Sequence, residues 1–585
     1  MTNGKKVTAA AGSVLLIGFI VLYLYRVLKT YDILAVHPLV WVPFICVIGF
    51  AVAGFRLQKY KKTYMVLSFI VLFLLYSVRV LTDNFASYLW CEDGLALIND
   101  AIYRGPASLF DAPRGTIWFI PRLIGFVSYH ICRMLKDITY LPQLMSLITK
   151  VVATGGFMYF MSDRFGWIVK DRAWRFIICA MTVLAIPTEA YETVPCDTSI
   201  PFILNFTVFL IGLDTLFGPV RRPVGIGEAV FLTLQSLSTA AAPFCGAVAV
   251  FACARWLFVK PEKERAAKCV VKGIVCTLMV VAGTIYQMIT FITGPRDASS
   301  LSLGKRLFVC AKDFVFFPYL DSYRNVLLWI IGLGGWVLII LLAKLSWKMI
   351  AYCAVYGYAF LFYCSMTDSA DAITKVISSG IGSRYYLMNY LIAFFLLGVG
   401  IYRLFTIDKI RKCDGALLLL SMLLISVPTY IIDIAGLETA FTYDYCSGLY
   451  DPEGGCRYVV SIAPDPLYRV VFPGNLPGHE SSGSEAQGFV ETVNGQSIND
   501  TVVVEADLTD VEITGWAADE NGEPFEYIFF DWGEGQWASP VSIDSEEYVF
   551  FVDTTFIREN RVSFIGITSD GERYVWSADV DAVVQ

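Results

Sequence analysis

The chain has 585 residues, of which 56% are hydrophobic and 15% aromatic but only 17% charged, and its mean hydropathy is +0.60. That balance excludes an ordinary soluble globular protein and a disordered chain, since neither carries so many apolar side chains per charge. Charge is also unevenly placed: residues 486–585 hold 21 acidic and 3 basic side chains, so this stretch carries −18 and residues 1–485 carry +11 of the total −7.

From Ala11 to Asp433 apolar runs recur, each near the about 20 residues that a helix needs to cross ~30 Å of hydrocarbon. Basic clusters lie between them: Lys5-Lys6, Arg56 to Lys62, Arg164 to Arg175, Arg221-Arg222, Lys260 to Lys268, Lys344 to Lys348 and Arg403 to Lys412. The excess of Lys and Arg in cytoplasmic loops assigns all of these to the inside, together with the N-terminus. The first run has no small-residue cleavage site and is expected to remain as a span. Crossings are predicted near 11–29, 38–55, 63–83, 140–161, 176–194, 196–217, 226–242, 244–259, 269–292, 326–343, 349–366, 386–403 and 414–433. This makes about 13 spans at about 20 residues each, the short ones pairing at Ala242-Pro243. The run 116–135 cannot also cross without breaking parity. Pro121 and Arg122 interrupt it and Arg114 precedes it, so a juxtamembrane helix is expected there.

Under this topology the outer face collects Glu92, Asp93, Asp100, Arg104, Asp111 and Arg114 in the first long loop. Glu189 and Glu192 follow Pro187, Arg296 and Asp297 lie in a loop over 294–325, and Arg384 follows Ser383. Carboxylates kept beside hydrocarbon usually sit in a hydrated, protein-lined cavity and mark chemistry or transport. Arginine offers a planar fork to phosphate oxygens, and Asp or Glu can take a proton from a hydroxyl, so the combination suits group transfer from a phosphate-bearing lipid. A solvated loop is the plainer reading of Glu92-Asp93. Arg122 and Arg296 read equally as anchors reaching for the interface, and Tyr385-Tyr386 as part of an aromatic belt.

Beyond the last span, residues 434–485 are rich in Gly, Pro and Ser and read as an irregular outer connector. Within it Cys446 and Cys456 are spaced for a loop-closing disulfide in an oxidising exterior. Residues 486–585 alternate short β-branched and aromatic segments with turn signals such as Asn521-Gly522 and Asp570-Gly571, which predicts a small all-β sandwich. Its Trp516, Trp532, Trp537 and Trp576 could stack on sugar rings, although Trp in so small a module is mostly core. The expected architecture is therefore a polytopic α-helical membrane domain over 1–433, a connector over 434–485 and an outer β-sandwich over 486–585. Three histidines leave almost no material for a zinc site or a Ser-His-Asp arrangement.

Four stretches carry a family resemblance. Glu92-Asp93-Gly94, Ala101 to Gly105, Ser108-Leu109-Phe110 and Ile120-Pro121-Arg122-Leu123 resemble the first outer loop of bacterial GT-C type membrane glycosyltransferases, near the O-antigen glucosyltransferase branch. Pro187 to Glu192 is similar to the acidic outer turn of that group, and Gly382 to Tyr386 to its Arg-Tyr pair at the outer end of a late helix. Gly515-Trp516-Ala517-Ala518-Asp519 resembles a strand of extracellular β modules attached to surface glycosyltransferases. The resemblance implies a GT-C fold and transfer of a sugar from a polyprenyl-phosphate donor to a cell-envelope glycan or polymer at the outer face of the cell membrane. On it, Glu92 or Asp93 is the base, and Arg384 binds the donor phosphate with Arg114, Arg122 and Arg296 in reserve. Glu189, Glu192, Tyr385 and Asp111 support the acceptor. The stretch Gly115 to Phe119 departs from the group's pattern, which puts the acceptor contacts in doubt. No cofactor is demanded, although Glu92, Asp93 and Glu189 could hold a divalent cation such as Mg or Mn through oxygen ligands. No nucleic-acid partner is expected. A flippase or transporter, or a polymerase or ligase of lipid-linked surface polysaccharide, is the competing reading; the hydropathy pattern shows no internal repeat of the kind transporters commonly carry.

Overall fold

A computed structural model describes residues 41–77, Leu89, 93–135 apart from 113 and 114, 140–184, 199–259 apart from 220–223 and 240, 267–293, 303–316, 326–364, 385–426 apart from 386 and 408, and strand segments with some of their turns between 459 and 584. The chain forms two compact units. One comprises 1–85, 109–124 and 143–436, and the other 86–108, 125–142 and 437–585.

Helices of the first unit are α1 (Trp41–Leu57), α2 (Lys61–Ser77), the start of α3 (Phe119–Leu135), α4 (Leu141–Met158), α5 (Arg172–Leu184) and α6 (Ile200–Phe217). They continue as α7 (Ile226–Ser236), α8 (Ala242–Val259), α9 (Ala267–Thr293), α10 (Leu303–Phe316), α11 (Val326–Leu342), α12 (Trp347–Cys364), α13 (Leu387–Ile407) and α14 (Lys409–Ser426). Five described helical segments are long and apolar enough to cross a membrane: Leu141–Trp167, Ile200–Phe217, Ala242–Val259, Cys269–Thr293 and Leu387–Ile407. A helix apolar on every side belongs in the interior of a bundle, and α13 is buried almost continuously from Leu387 to Tyr402. Its Gly398 lets α5 close in, because a Cβ there would stand 3.0 Å from Ile178 Cγ1. The outer helices behave differently. On α9 the residues Val271, Val275, Leu278, Ile285, Ile289 and Ile292 are exposed at helical spacing, an apolar stripe of the kind that faces lipid.

Three expectations are corrected in this unit. The run 226–242 is no continuous crossing: α7 has 11 residues, about 16 Å at 1.5 Å per residue, and breaks before α8 begins. Pro121 does not interrupt its helix, since α3 starts at Phe119 and a first-turn proline forfeits no internal hydrogen bond. The segment read as loop 294–325 contains α10, which packs against α11, α12 and α13.

In the second unit the connector also holds structure, where β1 (Val459–Ser461) pairs antiparallel with β2 (Arg469–Val471). Two larger antiparallel sheets follow. The first has the order β4-β3-β6-β10-β9, from Gln496–Ser497, Gln487–Val493, Asp510–Ala518, Glu547–Asp553 and Ser542–Asp544. The second has the order β12-β11-β7-β8, from Arg573–Asp579, Arg561–Ile567, Tyr527–Gly533 and Gln536–Ala538. A parallel pair joins Val502–Val504 to Ala582–Val584. Tyr548 of the first sheet lies 5.2 Å, ring to ring, from Phe564 of the second, and Trp576 stacks on both Phe564 and Phe525. Trp576 is thus core, Trp516 is half-buried, and the side chains of Trp532 and Trp537 lie outside the described residues.

Asp519, which closes the Gly-Trp-Ala-x-Asp stretch, builds a turn. Its Oδ1 accepts the backbone N–H of Glu523 and of Asn521, each at 2.8 Å, while Gly522 takes the left-handed conformation at φ +81. These bonds, the one from Glu523 foremost, hold the carboxyl below its ordinary pKa. A depressed carboxyl contributes stability that is complete above the unfolded-state value near 4 and is lost as pH falls through the lower folded value. Asp519→Ala is therefore expected to speed amide exchange at Asn521 and Glu523 by roughly five- to tenfold at neutral pH. The difference from the native chain should vanish in strong acid, as hydrogen exchange read by mass spectrometry will show.

Candidate functional site

In the second unit Asp93 is 1% exposed and opens a π-helical turn, Asp93–Ile98, that runs on into a short helix Asn99–Tyr103 and a 3-10 turn Gly105–Phe110. Turns of the π type are rare and recur at functional positions. Gly105 at φ +57 lets the chain reverse, and Ser108 Oγ donates to its carbonyl at 2.7 Å. Helix α3 approaches closely at Gly125, where a Cβ would stand 3.0 Å from Leu97 Cβ and 3.2 Å from the Leu97 carbonyl oxygen. Strand β2 packs against the same turn.

In the first unit the segment Asp111 to Arg122 docks on the break between α7 and α8. The leading N–H groups of a helix have no partner within it. Here Phe119 N–H donates to the Leu237 carbonyl at 3.2 Å and Ile120 N–H to Ser238 Oγ at 2.8 Å. Gln287 of α9, fully buried, accepts from Ile117 N–H at 3.2 Å and donates to the carbonyls of Ile117 and Thr239, each at 3.3 Å. Asn205 Nδ2 reaches Pro201 O at 3.0 Å and Thr239 Oγ1 at 3.4 Å, and Gln235 Nε2 reaches Pro201 O at 2.7 Å. The acceptor oxygens of Asn205 and Gln235 are buried with no hydrogen-bond partner among the described residues. On this segment Arg122 is 2% exposed, and its Nη1 lies 3.7 Å from Asp111 Oδ2.

Tyr385 stands at the same end of the helices, its ring 5.5 Å from that of Phe202, the neighbour of Pro201. Two cations on α10 escaped the sequence reading: Arg306, whose guanidinium lies 4.7 Å over the Phe362 ring, and Lys312, fully buried. The signal for them was the pair of charged dipeptides Lys305-Arg306 and Lys312-Asp313, which stand at the same phase of the helix seven residues apart, although Arg306 and Lys312 themselves are six apart and point to different sides. Gln287, Asn205 and Gln235 were missed as well; each is a lone amide inside an apolar run.

A second polar layer occupies the other end of α6 and α7. Arg164 Nε bonds Asp214 Oδ2 at 2.9 Å and its Nη1 pairs with Glu228, whose carboxylate also accepts from Tyr159 Oη at 3.0 Å. Asp163 bonds Lys61 at 2.5 Å and Arg172 at 2.8 Å. Lys61, Arg164 and Arg172, from two of the basic clusters expected at the cytoplasmic face, therefore meet at one end of the bundle, opposite the Asn205–Gln235–Gln287 network.

Of the candidate residues, the structure brings Asp111 and Arg122 together and places Tyr385 at the same helix ends, while Asp93 belongs to the other unit. Glu92, Arg114, Glu189, Glu192, Arg296 and Arg384 lie outside the described residues, as do Cys446 and Cys456. Among the described residues no three of His, Cys, Asp and Glu are grouped to hold a metal ion; the divalent-cation reading rested also on Glu92 and Glu189. No protein-family model matches this chain, and no curated protein matches it either.

Proposed function

We propose that this is a membrane glycosyltransferase of the GT-C kind, a polytopic helical domain with an inside N-terminus and an outer β-sandwich formed by its two larger sheets. The donor is a sugar on polyprenyl phosphate and the acceptor a hydroxyl of an envelope glycan. Asp93, or Glu92 beside it, takes the acceptor proton as the hydroxyl oxygen bonds to the anomeric carbon. The bond from that carbon to phosphate breaks, and the electron pair leaves on the lipid phosphate, which Arg384 steadies, with Arg114, Arg122 and Arg296 in reserve. One displacement inverts the anomeric configuration.

The observation that carries this reading is Arg122, a guanidinium 2% exposed beside Asp111 in a unit built of apolar helices. Ionised groups so placed are costly to bury and mark function in membrane proteins. The unpaired acceptors of Asn205 and Gln235 at the same end suit a ligand rich in hydroxyl groups. The purified full-length protein, given a polyprenyl-phosphate sugar and envelope glycan from a strain lacking the chain, is expected to yield glycan bearing the sugar in the inverted configuration. Retained configuration overturns the single displacement. Movement of the lipid-linked sugar across vesicles with no new glycosidic bond overturns the transferase in favour of a flippase.

A further inference from the structure

At the helix ends opposite the Asp111–Arg122 pair, a cavity of about 440 Å³ is lined by Trp167, Lys344, Lys348 and Arg403 over a floor that includes Leu345 and Met349. The geometry points to a binding site for a phosphate monoester or diester here, taken from the headgroup of an anionic lipid. From Leu387 to Arg403 is about 24 Å along α13 at 1.5 Å per residue, so this site is separate from the one proposed for the donor.

Three cations converge on the cavity, and no described carboxylate pairs with any of them. Asp214, on the helix that supplies Leu216 and Phe217 to the wall, is already bonded to Arg164 and to Trp167 Nε1. Lysine and arginine offer the charge-assisted bonds that phosphate oxygens take most strongly. Helix α12 starts at Trp347, its first residues Lys348 and Met349 in the wall, so its leading N–H groups and the positive end of its dipole add to the field.

Lys344 supplies an independent indication. It ends α11 at φ +51, and Leu345 N–H bonds back to the Ile340 carbonyl at 3.1 Å, the pattern of a helix end that ordinarily carries glycine. Lys344 is the one described non-glycine residue with positive φ. A lysine held there against its backbone preference keeps a cation at the cavity mouth that glycine would forfeit. Leu341 and Trp347 flank it, 60% and 69% exposed, and give an acyl chain an apolar path away from the headgroup. Basic pockets between helix ends at the cytoplasmic side are suited to anionic headgroups.

The test is thermal unfolding of the purified full-length protein in neutral detergent, titrated with dioctanoyl phosphatidic acid, dioctanoyl phosphatidylcholine or sodium phosphate. Phosphatidic acid is expected to raise the midpoint saturably while the zwitterionic lipid does not, and Lys348→Gln and Arg403→Gln should each weaken that response about tenfold. Sodium phosphate acting at the same concentration as the lipid would assign the site to a soluble phosphate ester and overturn the lipid source. Lys344→Gly relieves the backbone, so it should raise the ligand-free midpoint and still weaken the response. A raised midpoint with an unchanged response to phosphatidic acid, or no response in the native chain, overturns the site.

Discussion

Asp93→Asn is expected to lower sugar transfer by roughly 10²- to 10⁴-fold, the contribution of a positioned general base. The amide keeps the size and shape of the carboxylate, so the π-helical turn it opens should persist, as Gly125 against Leu97 still fixes the approach of α3. Asp93 is 1% exposed, and a carboxylate removed from bulk water acts on a bound hydroxyl without competition from solvent. The loss should fall on kcat with the donor KM little changed, because the proton moves in the transition state and not on binding. Glu92→Gln is the comparison, and the variant with the larger loss in kcat identifies the base. Asp93→Asn protein that unfolds at lower temperature yet turns over at the native rate would make Asp93 a structural group of its turn.

Much of the helical unit was legible because the need for about 20 apolar residues per crossing leaves a coarse, redundant signal. Leu141–Trp167, Ile200–Phe217, Ala242–Val259, Cys269–Thr293 and Leu387–Ile407 all fall on predicted spans. The break after Ser236 was illegible for an equally physical reason. Leu237 to Ala241 contains neither glycine nor proline, and the helix ends there because Leu237 and Ser238 turn their oxygens to Phe119 and Ile120, more than a hundred residues away. Helix α10 was hidden because its charges fail a test designed for crossings, and β1 and β2 because two valine pairs stand among glycines and prolines. Asp519 shows the reverse case, in which a stretch read by likeness has a plain local duty in a turn.

The proposed site was legible only as a set of charged residues on one side of a topology, and Arg122 shows what that left undecided. Sequence offered it equally as an anchor reaching for water and as a phosphate clamp. A reaching side chain ends exposed, whereas Arg122 is 2% exposed with Asp111 Oδ2 3.7 Å from Nη1. Arg122→Ala is therefore expected to destabilise the protein by about 3 kcal/mol, the lower part of the range for removing one member of a buried pair, because Asp111 retains 19% exposure and some solvent screening. Urea or thermal unfolding in detergent measures this directly. Arg122→Lys keeps the charge and loses the fork, so it should recover most of the stability. If Arg122 also holds the donor phosphate, Arg122→Lys will still raise the donor KM about tenfold, since a compact ammonium cannot bind two phosphate oxygens in one plane while facing Asp111. Restored stability with an unchanged KM would confine Arg122 to packing and leave the phosphate to the other arginines.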